Sequence, residues 1–172
     1  MYRYALTGHT EGLGLEIKKL LPENTLCFSR SNNYDISKRS DRRKMIEESA
    51  ECDVFISNAY DKFSQVELLL EYVEAWKDEK KCIINIGSNI TNYKPEEFNY
   101  NRLIHKSHKT SLLHTVNEIN NYSMKLRVLY FNIVGYIGTQ KIRERYPQMT
   151  DFLSAEKIAD DIIKTAQPSG TN

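Results

Sequence analysis

Three glycines lie close together near the start of the chain, at Gly8, Gly12 and Gly14. They follow an apolar run over residues 2–6 and come immediately before a segment with helical spacing. Glycine at a strand-to-helix turn lets the backbone approach a pyrophosphate closely, and the helix start adds free N–H groups with partial positive charge. The spacing differs from GxGxxG, so a plain turn remains the alternative unless a strand–helix–strand unit surrounds it. The candidate phosphate-binding residues are Gly8, His9, Thr10, Gly12, Leu13 and Gly14.

Short apolar runs alternate with helical stretches along the whole chain. We expect strands at 2–6, 25–29, 53–57, 81–86 and 127–134, a very short strand at 34–36, helices at 13–21, 40–51, 65–80, 104–122 and 155–166, and a short loop at 140–151. Nearly continuous apolar strands separated by helices indicate a parallel sheet covered on both faces. The predicted fold is therefore α/β, a Rossmann-like doubly wound parallel sheet of about six strands in the order 3-2-1-4-5-6. No repeat or linker interrupts the pattern, so residues 1–172 are predicted to form a single dinucleotide-binding domain.

Composition excludes several other classes of protein. Lys and Arg number 24 and Asp and Glu 23, giving a net charge of +1, whereas nucleic-acid and anionic-membrane binders carry a basic surplus. No apolar run approaches the roughly 20 residues of a membrane helix, and the first residues lack the pattern of a signal peptide. Cys27, Cys52 and Cys82 are far apart with no CxxC. We expect buried, reduced thiols and a cytoplasmic protein.

Five segments resemble, in order, motifs of the short-chain dehydrogenase/reductase family. Residues 7–14 resemble its Thr-Gly-x-x-x-Gly-x-Gly turn, 35–37 its aspartate motif beside adenine, 53–59 its Asn-Asn-Ala-Gly strand end, 85–88 the strand end with the catalytic serine, and 135–139 the loop whose threonine holds the nicotinamide amide. Together these segments span nearly the whole chain. The resemblance implies a dinucleotide cofactor bound by Asp35, Ile36, Asn58, Ala59 and Thr139, in addition to the glycine turn.

The same resemblance implies a catalytic group, and here the sequence departs from the family pattern. Ser88 matches the serine, and Lys109 matches the lysine of Tyr-x-x-x-Lys, which holds the nicotinamide ribose in the family. The tyrosine position, however, is occupied by His105. Tyr60 stands where the family has glycine, and the helix over 65–80 lacks the family's asparagine. The cofactor motifs are thus better kept than the catalytic ones.

Histidine at position 105 changes the proton chemistry of such a site. Tyrosine has a pKa near 10, whereas histidine begins near 6.5, close to working pH. The nearby Lys109 charge lowers the His105 pKa further and favours neutral imidazole. A neutral imidazole accepts a proton during alcohol oxidation but donates one poorly during carbonyl reduction. The alternative is that His105 is simply a polar residue on one side of a helix.

The second predicted strand ends at Ser29 and Arg30. An acidic residue there would bind the ribose 2′-hydroxyl of NAD, whereas arginine suits the 2′-phosphate of NADP. Lys38 and Arg39 extend the positive field, while Arg42 and Arg43 are expected on a solvated helix face. The predicted cofactor is therefore NADP(H).

These inferences leave two functional hypotheses open. The first is an NADP(H)-dependent oxidoreductase of the short-chain dehydrogenase/reductase type, acting on a small carbonyl or alcohol through Ser88, His105 and Lys109. The second is a catalytically inactive NADP(H)-binding sensor or interaction protein. Family members commonly pair the helices here predicted at 65–80 and 104–122, so a homo-oligomer, dimer or tetramer, is expected. No metal site is predicted, because His105 and His108 have no carboxylate or cysteine at ligand spacing.

Overall fold

A computed structural model describes residues 2–92, 94 and 98–166 of the chain. The strands are β1 (Tyr4–Thr7), β2 (Leu26–Phe28), β3 (Val54–Ser57), β4 (Cys82–Ile86) and β5 (Arg127–Phe131). The helices are α1 (Gly12–Leu20), α2 (Arg39–Glu48), α3 (Ser64–Trp76), α4 (Tyr100–Ile119), α5 (Gln140–Arg145) and α6 (Ala155–Ala166). Short 3₁₀ turns follow β2 and β4, at Arg30–Asn32 and Asn89–Asn92.

The five strands form one parallel sheet in the order β2-β1-β3-β4-β5. Successive strand residues point to opposite faces, and each face has its own apolar core. On one face, Ala5, Phe55 and Ile83 pack with side chains of α2, α3 and α4. On the other, Leu6 and Ile56 pack with α1 and α6. The doubly wound parallel sheet predicted from the sequence is confirmed.

The short strand expected at 34–36 does not form, and the sheet in the described part of the chain has five strands. The Asp35 carboxylate accepts the Ser37 N–H at 2.9 Å, and the Asp35 carbonyl accepts the Lys38 N–H at 2.9 Å. These local bonds satisfy the backbone as a turn, so the segment does not pair with β2. The strand order otherwise matches the prediction once this edge strand is removed.

Two further expectations are corrected by the fold. Residues 140–151 are not a plain loop, because Gln140–Arg145 forms helix α5. Arg42 does not lie on a solvated face. It is 4% exposed, with its guanidinium bound to Glu71 at 3.1 Å, Glu67 at 2.9 Å and the Ile36 carbonyl at 2.9 Å. Arg43 is exposed, as expected.

Cys52 and Cys82 are buried, Cys27 is partly buried, and all three are unpaired. Across the described ranges, no helix is both long and apolar enough to cross a membrane. Among the same residues, no group of three His, Cys, Asp or Glu side chains is placed to hold a metal ion.

Candidate active site

A cleft of about 2330 Å³ lies where the carboxyl ends of the strands meet. In parallel α/β sheets this edge is the usual position of ligand sites. Each strand contributes to the wall with the residues that follow it, including Gly8, Arg30, Asn58, Ser88 and Asn132. Nine further sequence-predicted residues also line the cleft: Thr10, Gly12, Leu13, Asp35, Ile36, Ala59, His105, Lys109 and Thr139. The tertiary structure thus brings most of the sequence-predicted site residues to one cleft.

The glycine turn connects β1 to α1 with two left-handed residues, Gly8 at φ 70° and Gly12 at φ 57°. Residues with a side chain adopt this conformation at a cost, which explains glycine at both positions. Gly14 has another role, since a Cβ there would lie 1.8 Å from the Gly8 carbonyl oxygen. It lets the helix pack against the turn and does not line the cleft. His9 is also outside the cleft lining, and its Nδ1 is buried without a hydrogen-bond partner among the described residues.

The end of β3 is held against the glycine turn by side-chain hydrogen bonds. The Thr7 hydroxyl oxygen accepts the Asn58 and Ala59 N–H groups, both at 3.1 Å. The Asn58 amide donates to the Gly8 carbonyl at 2.9 Å. Asn58 was predicted from the sequence as a site residue, whereas the positioning role of Thr7 was not. The signal was a hydroxyl at the last position of a buried strand.

Arg30 and Asp35 lie together at the β2 end of the cleft. Arg30 is exposed at the first position of the 3₁₀ turn. The Ser37 hydrogen bonds hold the pKa of the Asp35 carboxyl below its usual value, and the Arg30 charge adds to this effect. A negatively charged ligand at this end therefore meets an accessible guanidinium beside an ionised carboxylate.

Ser88 lies just beyond β4, and a side chain of the neighbouring strand β5 hydrogen-bonds its backbone. The Ser88 N–H donates to the Tyr130 hydroxyl at 3.1 Å, and its side-chain oxygen accepts the Ile90 N–H at 3.3 Å. Gly87 permits this arrangement, because a Cβ at that position would lie 2.1 Å from the Tyr130 ring. The Ser88 hydroxyl proton remains available to donate into the cleft.

His105 and Lys109 lie one turn apart on α4 and both line the cleft. Burial lowers the pKa of His105, and the Lys109 charge lowers it further. The imidazole is therefore neutral at neutral pH, as the sequence predicted. Burial also lowers the pKa of Lys109 to about 8. The Lys109 residue is 6% exposed, and its ammonium donates to Gln65 Oε1 and to the Ile86 carbonyl, both at 2.9 Å.

Two residues beside Lys109 were not identified from the sequence. Gln65, in the first turn of α3, is 2% exposed, and its amide also donates to the Ser57 carbonyl at 2.8 Å. Tyr60 lies over Lys109, with the ammonium nitrogen 5.1 Å from the ring centroid. A polar residue in the first turn of a strongly apolar helix was the signal for Gln65. The signal for Tyr60 was a bulky residue at a position where the family has glycine.

No family model matches the sequence, and no curated protein matches it significantly. Solved structures do match. A small-chain dehydrogenase in complex with NADPH is 17% identical, with a TM-score of 0.77 over 98% of this chain and 92% of that one. The chain has the fold of the short-chain dehydrogenases.

Two further dehydrogenases with this fold are similar. A short-chain dehydrogenase from Burkholderia cenocepacia in complex with NADP is 14% identical, with a TM-score of 0.76 over 98% of this chain and 85% of that one. A glucose/ribitol dehydrogenase of the short-chain type from Brucella melitensis is 16% identical, with a TM-score of 0.76 over 98% and 90% of the two chains. The resemblance inferred from the five sequence motifs therefore extends to the whole fold.

Proposed function

We propose that the protein is an NADP(H)-dependent oxidoreductase acting on a small alcohol or carbonyl compound. The observation that carries the proposal is the continuity of the cleft. Its lining includes the glycine turn and Arg30, which suit phosphates, and also Ser88, His105 and Lys109, which suit proton exchange. Structurally similar dehydrogenases with NADP or NADPH support the choice of cofactor.

The cofactor-binding residues fit a dinucleotide. Glu11 precedes α1 without capping it through its side chain, and the first turn of α1 contains no acidic residue. The N–H groups there are consequently open to a phosphate. Among the described residues, a Cβ at Gly12 would have only Thr139 within 4 Å, at 3.6 Å, so the turn leaves space above the helix start. Arg30 would bind the 2′-phosphate, and Thr139 would hold the nicotinamide amide.

The bound dinucleotide would supply the hydride acceptor or donor. In alcohol oxidation, the Ser88 hydroxyl would hydrogen-bond the substrate oxygen, and neutral His105 would accept the hydroxyl proton. Lys109 would hold the nicotinamide ribose. Carbonyl reduction would be slower, because an imidazole with a lowered pKa carries few protons to donate near neutral pH.

One observation favours the second candidate function, an NADP(H)-binding protein without turnover. The Lys109 ammonium already donates to Gln65 and Ile86 and lies under Tyr60. A lysine bound in this way contributes to the fold whether or not it contacts a cofactor. Turnover with a panel of aldehydes, ketones and alcohols separates the two functions, since the second predicts binding alone.

The cofactor proposal is tested through Arg30. Arg30→Ala should weaken NADPH binding about 10- to 100-fold, equivalent to about 1.5–3 kcal/mol for a lost charge-assisted hydrogen bond, and should leave NADH binding unchanged. Fluorescence titration measures both affinities, and the NADPH preference should shrink as salt screens the phosphate. Arg43→Ala, which removes an exposed arginine outside the cleft lining, is the control. Equal affinity for the two dinucleotides in wild type and Arg30→Ala would refute the assignment.

A further inference from the structure

Lys109 is a buried cation whose nearest partners are neutral. Its ammonium has three N–H donors, and two of them are used by Gln65 Oε1 and the Ile86 carbonyl. The Tyr60 ring lies over the same nitrogen at 5.1 Å from the ring centroid, within the range of a cation–π contact. In the described part of the chain, the ammonium forms no ion pair with a carboxylate.

Tyr60 is held in this position from two sides. The Tyr60 hydroxyl and His108 Nδ1 form a hydrogen bond of 2.7 Å. The Tyr60 ring also meets His105 edge-on, with ring centroids 5.0 Å apart. Yet Tyr60 is 44% exposed and lines the cleft. A ligand entering the cleft therefore meets the Tyr60 ring before it meets the ammonium.

We propose that the Tyr60 ring covers Lys109 and limits the contact of the Lys109 ammonium with the nicotinamide half of the dinucleotide. This inference rests on the proposed function, in which Lys109 holds the nicotinamide ribose. A ribose hydroxyl reaches Lys109 only when Tyr60 leaves His108 and His105. Binding in the wild type then depends mainly on the adenosine half, and the nicotinamide half adds little affinity.

Nucleotide titration tests this inference with two ligands. Tyr60→Ala should raise the affinity for NADPH about tenfold, because a charge-assisted hydrogen bond to Lys109 becomes available. The affinity for adenosine 2′,5′-bisphosphate, which lacks the second ribose, should not change. A fall in NADPH affinity would mean that the ring stacks on the ligand and would overturn the proposal. An unchanged NADPH affinity would overturn it as well, while leaving the proposed function intact if both ligands bind.

A chemical measurement tests the cover without any nucleotide. Acetic anhydride acetylates neutral amines, and burial lowers the pKa of Lys109 to about 8. The rate of Lys109 acetylation at pH 8 is measured by peptide mass spectrometry. Tyr60→Ala should label Lys109 at least tenfold faster than wild type, whereas Tyr60→Phe, which keeps the ring, should stay within about threefold. Phe63→Ala is the matched control, because Phe63 packs edge-on against His108 in the same segment. Equal labelling rates for Tyr60→Ala and wild type would refute the covering of Lys109 by Tyr60, whether or not NADPH binds. A failure of NADPH to bind would separately refute the proposed function.

Discussion

At the scale of single residues, the proposed proton transfer depends on His105. Its lowered pKa, caused first by burial and then by Lys109, makes it a base at neutral pH. We expect the rate of alcohol oxidation to rise with pH through an apparent pKa below 6.5 and then level off. His105→Ala should reduce the rate by about 10²- to 10⁴-fold, the usual contribution of general acid–base catalysis.

Steady-state kinetics with the best substrate of the alcohol panel measure this effect. His114→Ala, which removes an exposed histidine farther along α4, is the control and should retain full activity. His105→Tyr should increase carbonyl reduction relative to alcohol oxidation, because a phenol next to Lys109 can donate a proton. Equal rates for His105→Ala and wild type would show that the proton goes elsewhere.

Lys109 makes stability depend on pH. Its folded-state pKa is about 8, below the usual 10.5, so between these values the unfolded chain binds more protons than the folded chain. Unfolding free energy should therefore rise with pH in this window, by up to about 3 kcal/mol from this group. Comparing urea denaturation of wild type and Lys109→Met from pH 7.5 to 10.5 isolates the contribution. A constant difference between the two proteins across that range would contradict the lowered pKa.

At the scale of elements, Arg42 joins α2 to α3. It binds Glu67 and Glu71 on α3 and the Ile36 carbonyl before α2. Arg42→Met should destabilise the fold by about 2–3 kcal/mol, because the hydrogen bonds to charged groups are lost while both carboxylates keep some access to water. Arg43→Met, one position along the same helix, should change stability by less than about 0.5 kcal/mol.

Thermal and urea unfolding of the two methionine variants measure the contrast. Because the Arg42 guanidinium is buried, the difference between the variants should persist at high salt, unlike that of a surface ion pair. Similar stability of both variants would mean that the Arg42 bonds contribute nothing net.

At the scale of the whole molecule, we predict self-association through α3 and α4. Phe63 immediately precedes α3, and Leu70 lies seven residues farther along the chain, within that helix. Both side chains are 49% exposed, and Leu103 on α4 is 50% exposed. Burying such side chains against a second copy is favourable. Leu70→Lys should weaken association roughly tenfold or more, since it places a charge in an apolar contact.

Sedimentation over a range of concentrations measures the association. Leu20→Lys is the matched control, because Leu20 is 52% exposed but lies on α1, on the opposite face of the sheet. A single 20.1 kDa species at high concentration would refute the prediction.

The sequence by itself determined the parallel sheet and the place of the glycine turn. Both follow from local patterns, because continuous apolar strands must be buried on two faces and glycine is needed where φ is positive. Residues at the strand ends, such as Asn58, Ser88 and Arg30, were also predictable, since parallel strands all present their carboxyl ends at one edge.

Only the tertiary structure decided how the charged and aromatic side chains are partnered. Arg42 was expected in solvent because its helix is strongly charged, but Ile36, Glu67 and Glu71 surround its guanidinium. Lys109 was predicted as a site residue, yet its hydrogen bond to Gln65 and its contact with the Tyr60 ring join segments more than 40 residues away in sequence. Such contacts depend on how α3 and α4 pack together, and neither periodicity nor spacing within one segment contains that information.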